Sequence, residues 1–253
     1  MVTAAQPELP QMVCLRVTRA CNARCAFCLA PPDGAHPGAD ELERRIDWLL
    51  ARGVRTIHFC GGEPTIHPAL AGLVAYTRSR GAKSKLTTNA IAIPEALVPV
   101  LRAAGTEVKV SVHGDRAHHD RVVGRAAYDR TVANLTRLVA AGIATSVQTT
   151  VLAGSTETLD TVTALCLELH VRRLSVLPFI PRGHGRDHRD GSLASTERRA
   201  LRDRVKQLRR THAGRLDVRW LDFASQPFHV LEADGRLVLE CATEAFDRLL
   251  ARV

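Results

Sequence analysis

The sequence predicts an α/β protein built on a parallel sheet with helices packed outside it. Short β-branched runs alternate with segments of helical hydrophobic period from residue 13 to about residue 180. Glycines 53, 81, 105 and 142 stand directly after helical segments, where a left-handed residue commonly ends a helix. Six β–α repeats with short connections require parallel strands, but the pattern fits an open sheet and a barrel equally well.

The elements follow from these two periods in order along the chain. The strand-like runs are 13–18, 54–60, 83–89, 108–113, 145–152 and 172–177. The helical segments between them lie near 40–52, 67–80, 94–104, 128–141 and 156–169. After a stretch rich in Gly, His, Arg and Asp at 182–192, the pattern predicts a polar helix near 195–211, a strand near 216–221, a hairpin over 228–240 turning at Asp234–Gly235, and a last short helix after Thr243. We therefore divide the chain into a core, residues 1–185, and a small α+β extension, residues 186–253, that closes one end of the core.

The composition excludes several classes of protein. With 45% hydrophobic and 24% charged residues the chain is not intrinsically disordered. No apolar run approaches the roughly 20 residues of a membrane span, and the N-terminus lacks the features of a secretory signal, so we expect a cytoplasmic protein without a membrane partner. The net charge of +9 could attract an acidic redox partner. Aromatic residues make up only 4%, which leaves little for base stacking, so no nucleic acid partner is expected.

Three cysteines form the strongest local signal. The chain has seven cysteines, an odd number that argues against a disulfide framework. Cys21, Cys25 and Cys28 follow the first strand with C-x3-C-x2-C spacing. Three thiolates from one loop can hold three irons of a cubane [4Fe–4S] cluster and leave the fourth iron without a protein ligand. Structural zinc sites usually need four ligands, often as two C-x2-C pairs, and no second pair exists here. Zinc and free thiols remain the alternatives.

Further motifs stand at the carboxyl ends of the next three strands, the edge where parallel α/β sheets bind ligands. They are Cys60-Gly-Gly-Glu-Pro64, Leu86-Thr-Thr-Asn89 and Val110-Ser-Val-His-Gly114. Together with the cysteine spacing, and with an aromatic residue (Phe27) before the third cysteine, they resemble the signature elements of the radical S-adenosylmethionine (SAM) superfamily. The resemblance covers roughly residues 12–185 and implies a partial, open (β/α)6 barrel.

The resemblance also implies cofactors, site residues and an activity. Cys21, Cys25 and Cys28 would hold one [4Fe–4S] cluster. SAM would be bound by the remaining motif residues and by a fifth-strand glutamine, namely Phe27, Gly61, Gly62, Glu63, Pro64, Thr87, Asn89, Ser111, His113 and Gln148. The reduced cluster would cleave SAM to methionine and a 5′-deoxyadenosyl radical. That radical would abstract hydrogen from a small metabolite or a peptide in a biosynthetic pathway, with epimerisation, rearrangement, elimination or another C–H functionalisation as the outcome. Separately from the resemblance, the basic surface would suit an acidic electron donor such as a flavodoxin or ferredoxin.

The sequence departs from the family pattern in two places and leaves other interpretations open. Cys60 stands where the family often has Thr or Ser, and Ala90 replaces the glycine of Thr-Asn-Gly. Residues 190–253 contain only Cys241, so the extension cannot build an all-cysteine auxiliary cluster. Cys14 and Cys60 are expected at opposite sheet edges, roughly 15 Å apart. A glycyl-radical activase shares the cysteine spacing but usually carries Asp-x-Lys on the fourth strand, and a non-catalytic iron–sulfur or SAM-binding protein is the other alternative.

Cys241 and the histidine-rich segments have two interpretations each. Cys241 could donate hydrogen to a product radical, as a cysteine does in some radical SAM epimerases, or could be a buried small hydrophobe. His118–His119 and the 184–188 segment are interpreted as solvated loop residues beside a substrate pocket, because their spacing fits no standard metal site. Arg182 could bind an anion but is more simply surface charge.

Overall fold

A computed structural model describes residues 9–223 and 225–253, which share a ten-stranded sheet. The strands are Met12–Thr18 (β1), Thr56–Gly61 (β2), Lys83–Thr88 (β3), Glu107–Ser111 (β4), Thr145–Val151 (β5), Arg173–Pro178 (β6), Asp217–Trp220 (β7), Phe228–Leu231 (β8), Arg236–Glu240 (β9) and Arg248–Arg252 (β10). The helices are Ala39–Leu50 (α1), Leu70–Ser79 (α2), Leu97–Ala104 (α3), Arg116–Val123 (α4), Tyr128–Ala140 (α5), Thr158–Glu168 (α6) and Ser195–Thr211 (α7). None of the helices in this described part has the length and apolar character that crossing a membrane requires.

Seven strands, β1 to β7, lie side by side in chain order and run parallel, which confirms the predicted α/β class. The full order is β10-β9-β8-β1-β2-β3-β4-β5-β6-β7, so β10 and β7 are the two ends of the sheet. No pairing joins these two ends within residues 9–223 and 225–253, and the barrel is therefore open.

The two faces of the strands separate the core from the site. Val13, Leu15 and Val17 of β1 are fully buried in the main hydrophobic cluster, which also contains Ile46 and Leu49 of α1. Because side chains alternate along a strand, the residues between them point to the opposite, concave face. The same alternation in β2 to β6 gives that face polar side chains, and it is the wall from which the site is built.

The extension adds strands beside both β6 and β1, at the two ends of the six core strands, rather than at one end. β7 joins β6, whereas β8 pairs in parallel with β1 and in antiparallel with β9. The prediction of a last helix after Thr243 is wrong, since Glu244–Phe246 forms only one 3-10 turn and β10 follows it. Five residues cannot bury a helical face, whereas pairing with β9 satisfies their backbone groups. The division at residue 185 stays a prediction.

Helix α4 is absent from the sequence-based prediction. The side chain of Asp115 caps its start by accepting a hydrogen bond from the His118 backbone N–H, and Gly124 ends it with a φ of 73°. The helix buries both His118 and His119, with His119 wholly inaccessible. The interpretation of these two histidines as solvated loop residues is therefore wrong.

A buried ionic network fastens the extension to the core. Arg16 of β1 contacts Glu232, and it contacts both carboxylate oxygens of Glu240 at 2.7 and 2.9 Å. Arg182, after β6, reaches Glu240 at 3.2 Å and Asp247 at 2.7 Å. Burial acts to lower the pKa of Arg16, but Glu240 and Glu232 outweigh it and raise the pKa. Arg182 is thus an internal ion-pair partner and not a surface charge or a free anion site.

Breaking this network should destabilise the fold. We expect Glu240→Gln to lower the free energy of unfolding by about 3 kcal/mol, because it leaves two buried arginines short of a counter-charge. Urea denaturation followed by circular dichroism measures the change. As a control, Asp129→Asn removes an ion pair with Arg116 whose side chains are 65% and 62% exposed, so it should change stability by less than about 0.5 kcal/mol. Equal effects from the two variants would contradict the assignment.

Candidate active site

A cavity of about 250 Å³ opens at the carboxyl ends of the parallel strands. The strand ends, the cysteine loop and α4 surround it, as expected for a ligand site in a parallel sheet. Its lining contains every residue predicted for the cluster and SAM except Pro64. The predicted residues in the lining are Cys21, Cys25, Phe27, Cys28, Gly61, Gly62, Glu63, Thr87, Asn89, Ser111, His113 and Gln148.

The cysteine loop is held in place by backbone hydrogen bonds from both sides. The backbone N–H of Arg24 donates to Val123 O at 2.9 Å, which ties the loop to the end of α4. On the other side, the backbone N–H of His184 donates to Cys28 O at 3.0 Å. Gly183 lies so close that an added Cβ would be 2.3 Å from the same carbonyl. The 182–192 stretch therefore packs directly on the cysteine loop.

The environment of the three thiols disfavours free thiolates and would favour thiolates bound to a positively charged group. Burial, followed by the neighbouring Cys28 and Cys21, raises the pKa of Cys25 to about 12. Burial also raises the pKa of Cys21 and of Cys28. Three thiolates would repel one another here, and an iron–sulfur cluster would neutralise that repulsion when it replaces the protons. The donor set therefore fits the cubane that the spacing predicts.

To bind a [4Fe–4S] cluster, the three thiols need not surround a single metal ion. Within the described part of the chain, no group of three or more His, Cys, Asp or Glu side chains is arranged to hold a single metal ion. A cubane requires a different arrangement, because each of three thiolates binds a different iron.

The raised pKa of Cys25 predicts slow alkylation of the cluster-free protein. A thiol with a pKa of about 12 carries about a thousandfold less thiolate at pH 8 than one with an ordinary pKa near 9. We expect iodoacetamide to modify Cys25 correspondingly slowly, with a rate that rises about tenfold per pH unit up to pH 10. Peptide mass spectrometry measures the rate, and a short peptide containing the same cysteine is the reference. A rate that levels off below pH 9 would contradict the buried environment.

Gly61 and Gly62 bring the end of β2 against the end of β1. An added Cβ would lie 2.2 Å from Thr18 O at Gly61 and 2.1 Å from Ala20 O at Gly62. The backbone N–H of Gly62 donates to Thr18 O at 2.8 Å. Only glycine fits this approach, so both glycines are explained by the way β2 meets the start of the cysteine loop.

Glu63 is a buried carboxylate that fixes two loops at once. Its Oε1 accepts hydrogen bonds from the Thr65 N–H, the Thr65 hydroxyl and the Thr88 hydroxyl, at 3.0, 2.7 and 2.7 Å. Among residues 9–223 and 225–253, its Oε2 accepts from the Asn89 N–H alone, at 2.7 Å. Burial raises the pKa of Glu63, and these hydrogen bonds oppose the rise. Oε2 therefore keeps acceptor capacity, and Glu63 lines the cavity.

The end of β3 is anchored to the cysteine loop. The side-chain amide of Asn89 donates to Asn22 Oδ1 at 2.7 Å, and its Oδ1 accepts from the Ile91 N–H at 2.9 Å. Ala90, the departure from Thr-Asn-Gly, has a φ of 54°. This left-handed conformation explains why a glycine is usual there.

Cys14 and Cys60 are near neighbours, so the predicted separation of roughly 15 Å is wrong. Cys14 pairs with His58 across β1 and β2, and Cys60 lies two residues further on the same face. This register puts the two Cα atoms about 8 Å apart, and the thiols interact with each other. Strand length alone gives the larger distance, whereas the register between β1 and β2 sets the actual one. Cys60 lines the cavity, which brings one thiol outside the cluster motif to the site.

Pro64 and Cys241 lie outside the cavity lining. Pro64 is buried at the first position of a 3-10 turn, Pro64–Ile66, which Glu63 caps. The Cys241 thiol donates to Phe246 O at 3.4 Å within its own turn. The proposed hydrogen-donor role of Cys241 gains no support from this placement and stays a prediction.

Sequence reasoning missed three residues of the lining that matter for the site. They are Arg16, His119 and Thr150. Arg16 and Thr150 belong to strands whose alternation places them on the concave face, and that signal could have identified them. His119 depends on α4, whose capping residues Asp115 and Gly124 were the available signal.

A comparison with known protein families shows which superfamily the chain belongs to. The sequence profile of the radical SAM superfamily matches residues 15–167, which is more than half of the chain. The chain belongs to the radical SAM superfamily. Members of this family bind a [4Fe–4S] cluster and SAM, and the cavity brings together the residues that the family motifs assign to both.

Individual relatives share the core and extend beyond it. An AdoMet-dependent heme synthase of Methanosarcina barkeri is 28% identical over 77% of this chain and 58% of the relative. A PqqA peptide cyclase of Xanthomonas euvesicatoria is 30% identical over 87% of this chain and 60% of the relative. The crystal structure of Streptococcus suis SuiB bound to the precursor peptide SuiA has a TM-score of 0.78 at 18% identity, over 94% of this chain and 60% of SuiB. The chain thus spans about three fifths of the length of these relatives.

Proposed function

We propose that the chain is a radical SAM enzyme with one [4Fe–4S] cluster held by Cys21, Cys25 and Cys28. The observation that carries the proposal is that three half-buried cysteines and the buried Glu63 line one cavity at the strand ends. When bound and reduced, the cluster supplies the electron that cleaves SAM and so starts hydrogen abstraction from the substrate.

The residues of the chain would bind and orient SAM beside the cluster. Oε2 of Glu63 has capacity for the SAM ammonium group, since it accepts a single hydrogen bond from the part of the chain that the structure describes. Thr87, Ser111 and Gln148 present polar side chains from neighbouring strands to the same cavity. Because these groups stand on or at the ends of strands of one sheet, they would be preorganised for the ligand, and such preorganisation supports catalysis.

An apolar wall would keep water from the reacting atoms. Val123, Leu177 and Ile180 line the cavity and are at least nine-tenths buried. Excluding water and stray hydrogen donors protects a radical until it reaches the intended C–H bond.

We propose a peptide as the substrate, with a small metabolite as the alternative. Relatives named as PqqA peptide cyclases, and the likeness to SuiB with its precursor peptide, support the peptide. The likeness to a heme synthase supports a small molecule. The product would be formed by epimerisation, rearrangement, elimination or another C–H functionalisation in a biosynthetic pathway. The net charge of +9 suits an acidic electron donor such as a flavodoxin or ferredoxin.

Electron paramagnetic resonance of the anaerobically reconstituted protein tests the cofactor assignment. We expect a dithionite-reduced [4Fe–4S] signal that changes when SAM is added, because SAM would bind next to the cluster. A protein that takes up no iron and sulfide, or whose signal does not change at saturating SAM, would contradict the proposal.

A further inference from the structure

Three exposed arginines meet where the end of α4 packs on the cysteine loop. Arg24 directly precedes Cys25, and Arg121 and Arg125 stand on either side of Gly124, which ends α4. The Gly124 N–H donates to Arg121 O at 3.3 Å, and a Cβ added at Gly124 would be 3.1 Å from the Cβ of Arg24. We call Arg24, Arg121 and Arg125 the arginine patch.

The arginine patch is fixed to the cysteine loop. The backbone N–H of Arg24 donates to Val123 O at 2.9 Å, and the guanidinium group of Arg125 donates to Asn22 O. The patch therefore has a defined position beside Cys25, which is one of the three cysteines that would hold the cluster.

The positive charge of the patch is not neutralised by ion pairs. Residues 21–28 and 121–127, the two segments that pack together here, contain three arginines and no Asp or Glu. Within the described part of the chain, none of the three guanidinium groups pairs with a carboxylate, and that of Arg121 donates instead to Nδ1 of His118 at 2.8 Å. The patch therefore presents unpaired positive charge to solvent.

The acids of the same region are engaged elsewhere. Asp115 caps the start of α4, at the other end of the helix, and Asp129 pairs there with Arg116. Asp120 accepts hydrogen bonds from two backbone N–H groups at the start of α5. One carboxylate beside three guanidinium groups leaves the net charge of the region positive.

The position of the cavity decides from which side an electron can arrive. Under the proposed function SAM and the substrate occupy the cavity, so the donor has to approach from the outer side of the cysteine loop. This side has two flanks, the arginine patch and the turn at residues 183–187. On the second flank Arg186 pairs with Glu244 at 3.0 Å and Asp187 follows it, so this flank has no comparable unpaired charge.

We propose that the arginine patch is the docking surface for an acidic one-electron carrier protein that reduces the cluster. The inference rests on the proposed function, since it takes the cluster as the electron acceptor. Unpaired positive charge speeds the capture of an acidic partner, and transient electron-transfer complexes need only a small interface. The carrier loses one electron, the cluster gains it, and each cleavage of SAM consumes one electron delivered in this way.

The test compares two reductants of the reconstituted holoprotein. Flavodoxin, kept reduced by NADPH and flavodoxin reductase, has to dock, whereas dithionite is a small molecule that needs no docking surface. The rate of 5′-deoxyadenosine formation is measured at flavodoxin concentrations where it rises in proportion to flavodoxin, so that docking limits the rate. For the wild type we expect the flavodoxin-dependent rate to fall as salt rises from about 20 to about 300 mM, because salt screens the charges.

The variants separate the charge of the patch from its packing. Arg24→Gln, Arg121→Gln and Arg125→Gln together should slow the flavodoxin-dependent rate about tenfold at low salt and leave the dithionite-dependent rate unchanged. Substitution of the same three residues by Lys keeps the charge and should keep most of the rate.

A single variant covers the case in which the triple glutamine variant fails to hold its cluster. Arg121 makes no hydrogen bond to the cysteine loop within the described part of the chain, and Arg121→Glu should slow the flavodoxin-dependent rate about fivefold. The matched control combines Arg199→Gln, Arg209→Gln and Arg210→Gln, which removes equal charge from exposed positions of α7. This control should change neither rate by much.

Iron and sulfide content is measured for every variant, so that loss of the cluster is not mistaken for loss of docking. Equal flavodoxin-dependent rates of the wild type and the triple glutamine variant, with full clusters, would overturn the inference alone, as would an equal loss in the α7 control. A wild type that cleaves SAM with dithionite, but with neither flavodoxin nor an acidic ferredoxin, would also overturn it alone. A wild type with a full cluster that forms no 5′-deoxyadenosine even with dithionite would overturn the inference together with the proposed function.

Discussion

Cys25→Ala should lose the iron–sulfur cluster and, with it, all measurable cleavage of SAM. Cys25 is the central cysteine of the motif, and burial and the other two motif cysteines raise the pKa of its thiol to about 12. Two remaining thiols cannot hold three irons of a cubane. We expect reconstituted iron to fall from about four per chain toward zero, together with the brown absorbance.

The control for this variant removes a thiol elsewhere. Cys166 is buried in α6, within the hydrophobic core and outside the cavity lining. Cys166→Ala should cost about 1 kcal/mol of stability through lost packing but leave iron content and SAM cleavage intact. Iron and sulfide analysis measures the cluster content of both variants, and chromatography of the products measures SAM cleavage. A Cys25→Ala protein that retains SAM cleavage would refute the assignment of the cluster.

Glu63→Gln should damage both the fold and SAM binding. In the wild type Oε2 of Glu63 accepts from the Asn89 N–H, and Oε1 accepts from three donors of Thr65 and Thr88. A carboxamide has only one acceptor oxygen, so its amide N–H would face a backbone N–H. We expect a stability loss of about 2 kcal/mol and a SAM affinity at least about tenfold weaker, because the carboxylate that would pair with the SAM ammonium is neutralised.

Urea denaturation and calorimetric titration with SAM measure the two effects separately. Glu107→Gln is the matched control, since the Glu107 side chain is 51% exposed and pairs with Lys85 at the opposite end of the strands. It should change neither quantity by much. If Glu63→Gln bound SAM as the wild type does, Glu63 would be only a loop anchor.

The alternation of β-branched and helical segments predicted the parallel sheet because each local period reports burial on one face. The same logic placed the motif residues at one edge, and all the predicted ligands except Pro64 line one cavity. Local patterns could not reveal contacts between distant segments. Arg16 pairs with carboxylates 216 and 224 residues away, and no periodicity links such positions.

The remaining differences between the sequence-based prediction and the structure come from strand register and from short elements. Cys14 and Cys60 are neighbours only because β1 and β2 pair with a particular offset, which strand length does not determine. Helix α4 has eight residues and the sequence RAHHDRVV, in which polar residues interrupt the apolar face. The sequence after Thr243 predicts a helix, whereas pairing with the free edge of β9 makes most of this segment a strand, β10.

The most direct test of the account is whether the reduced holoprotein cleaves SAM. The protein would be reconstituted anaerobically with iron and sulfide, reduced with dithionite and incubated with SAM, and the products would be separated by liquid chromatography. The account predicts 5′-deoxyadenosine and methionine from the wild type and none from Cys25→Ala. A wild-type protein with a full cluster and bound SAM that forms no 5′-deoxyadenosine, with or without candidate peptides, would contradict the proposed enzymatic function.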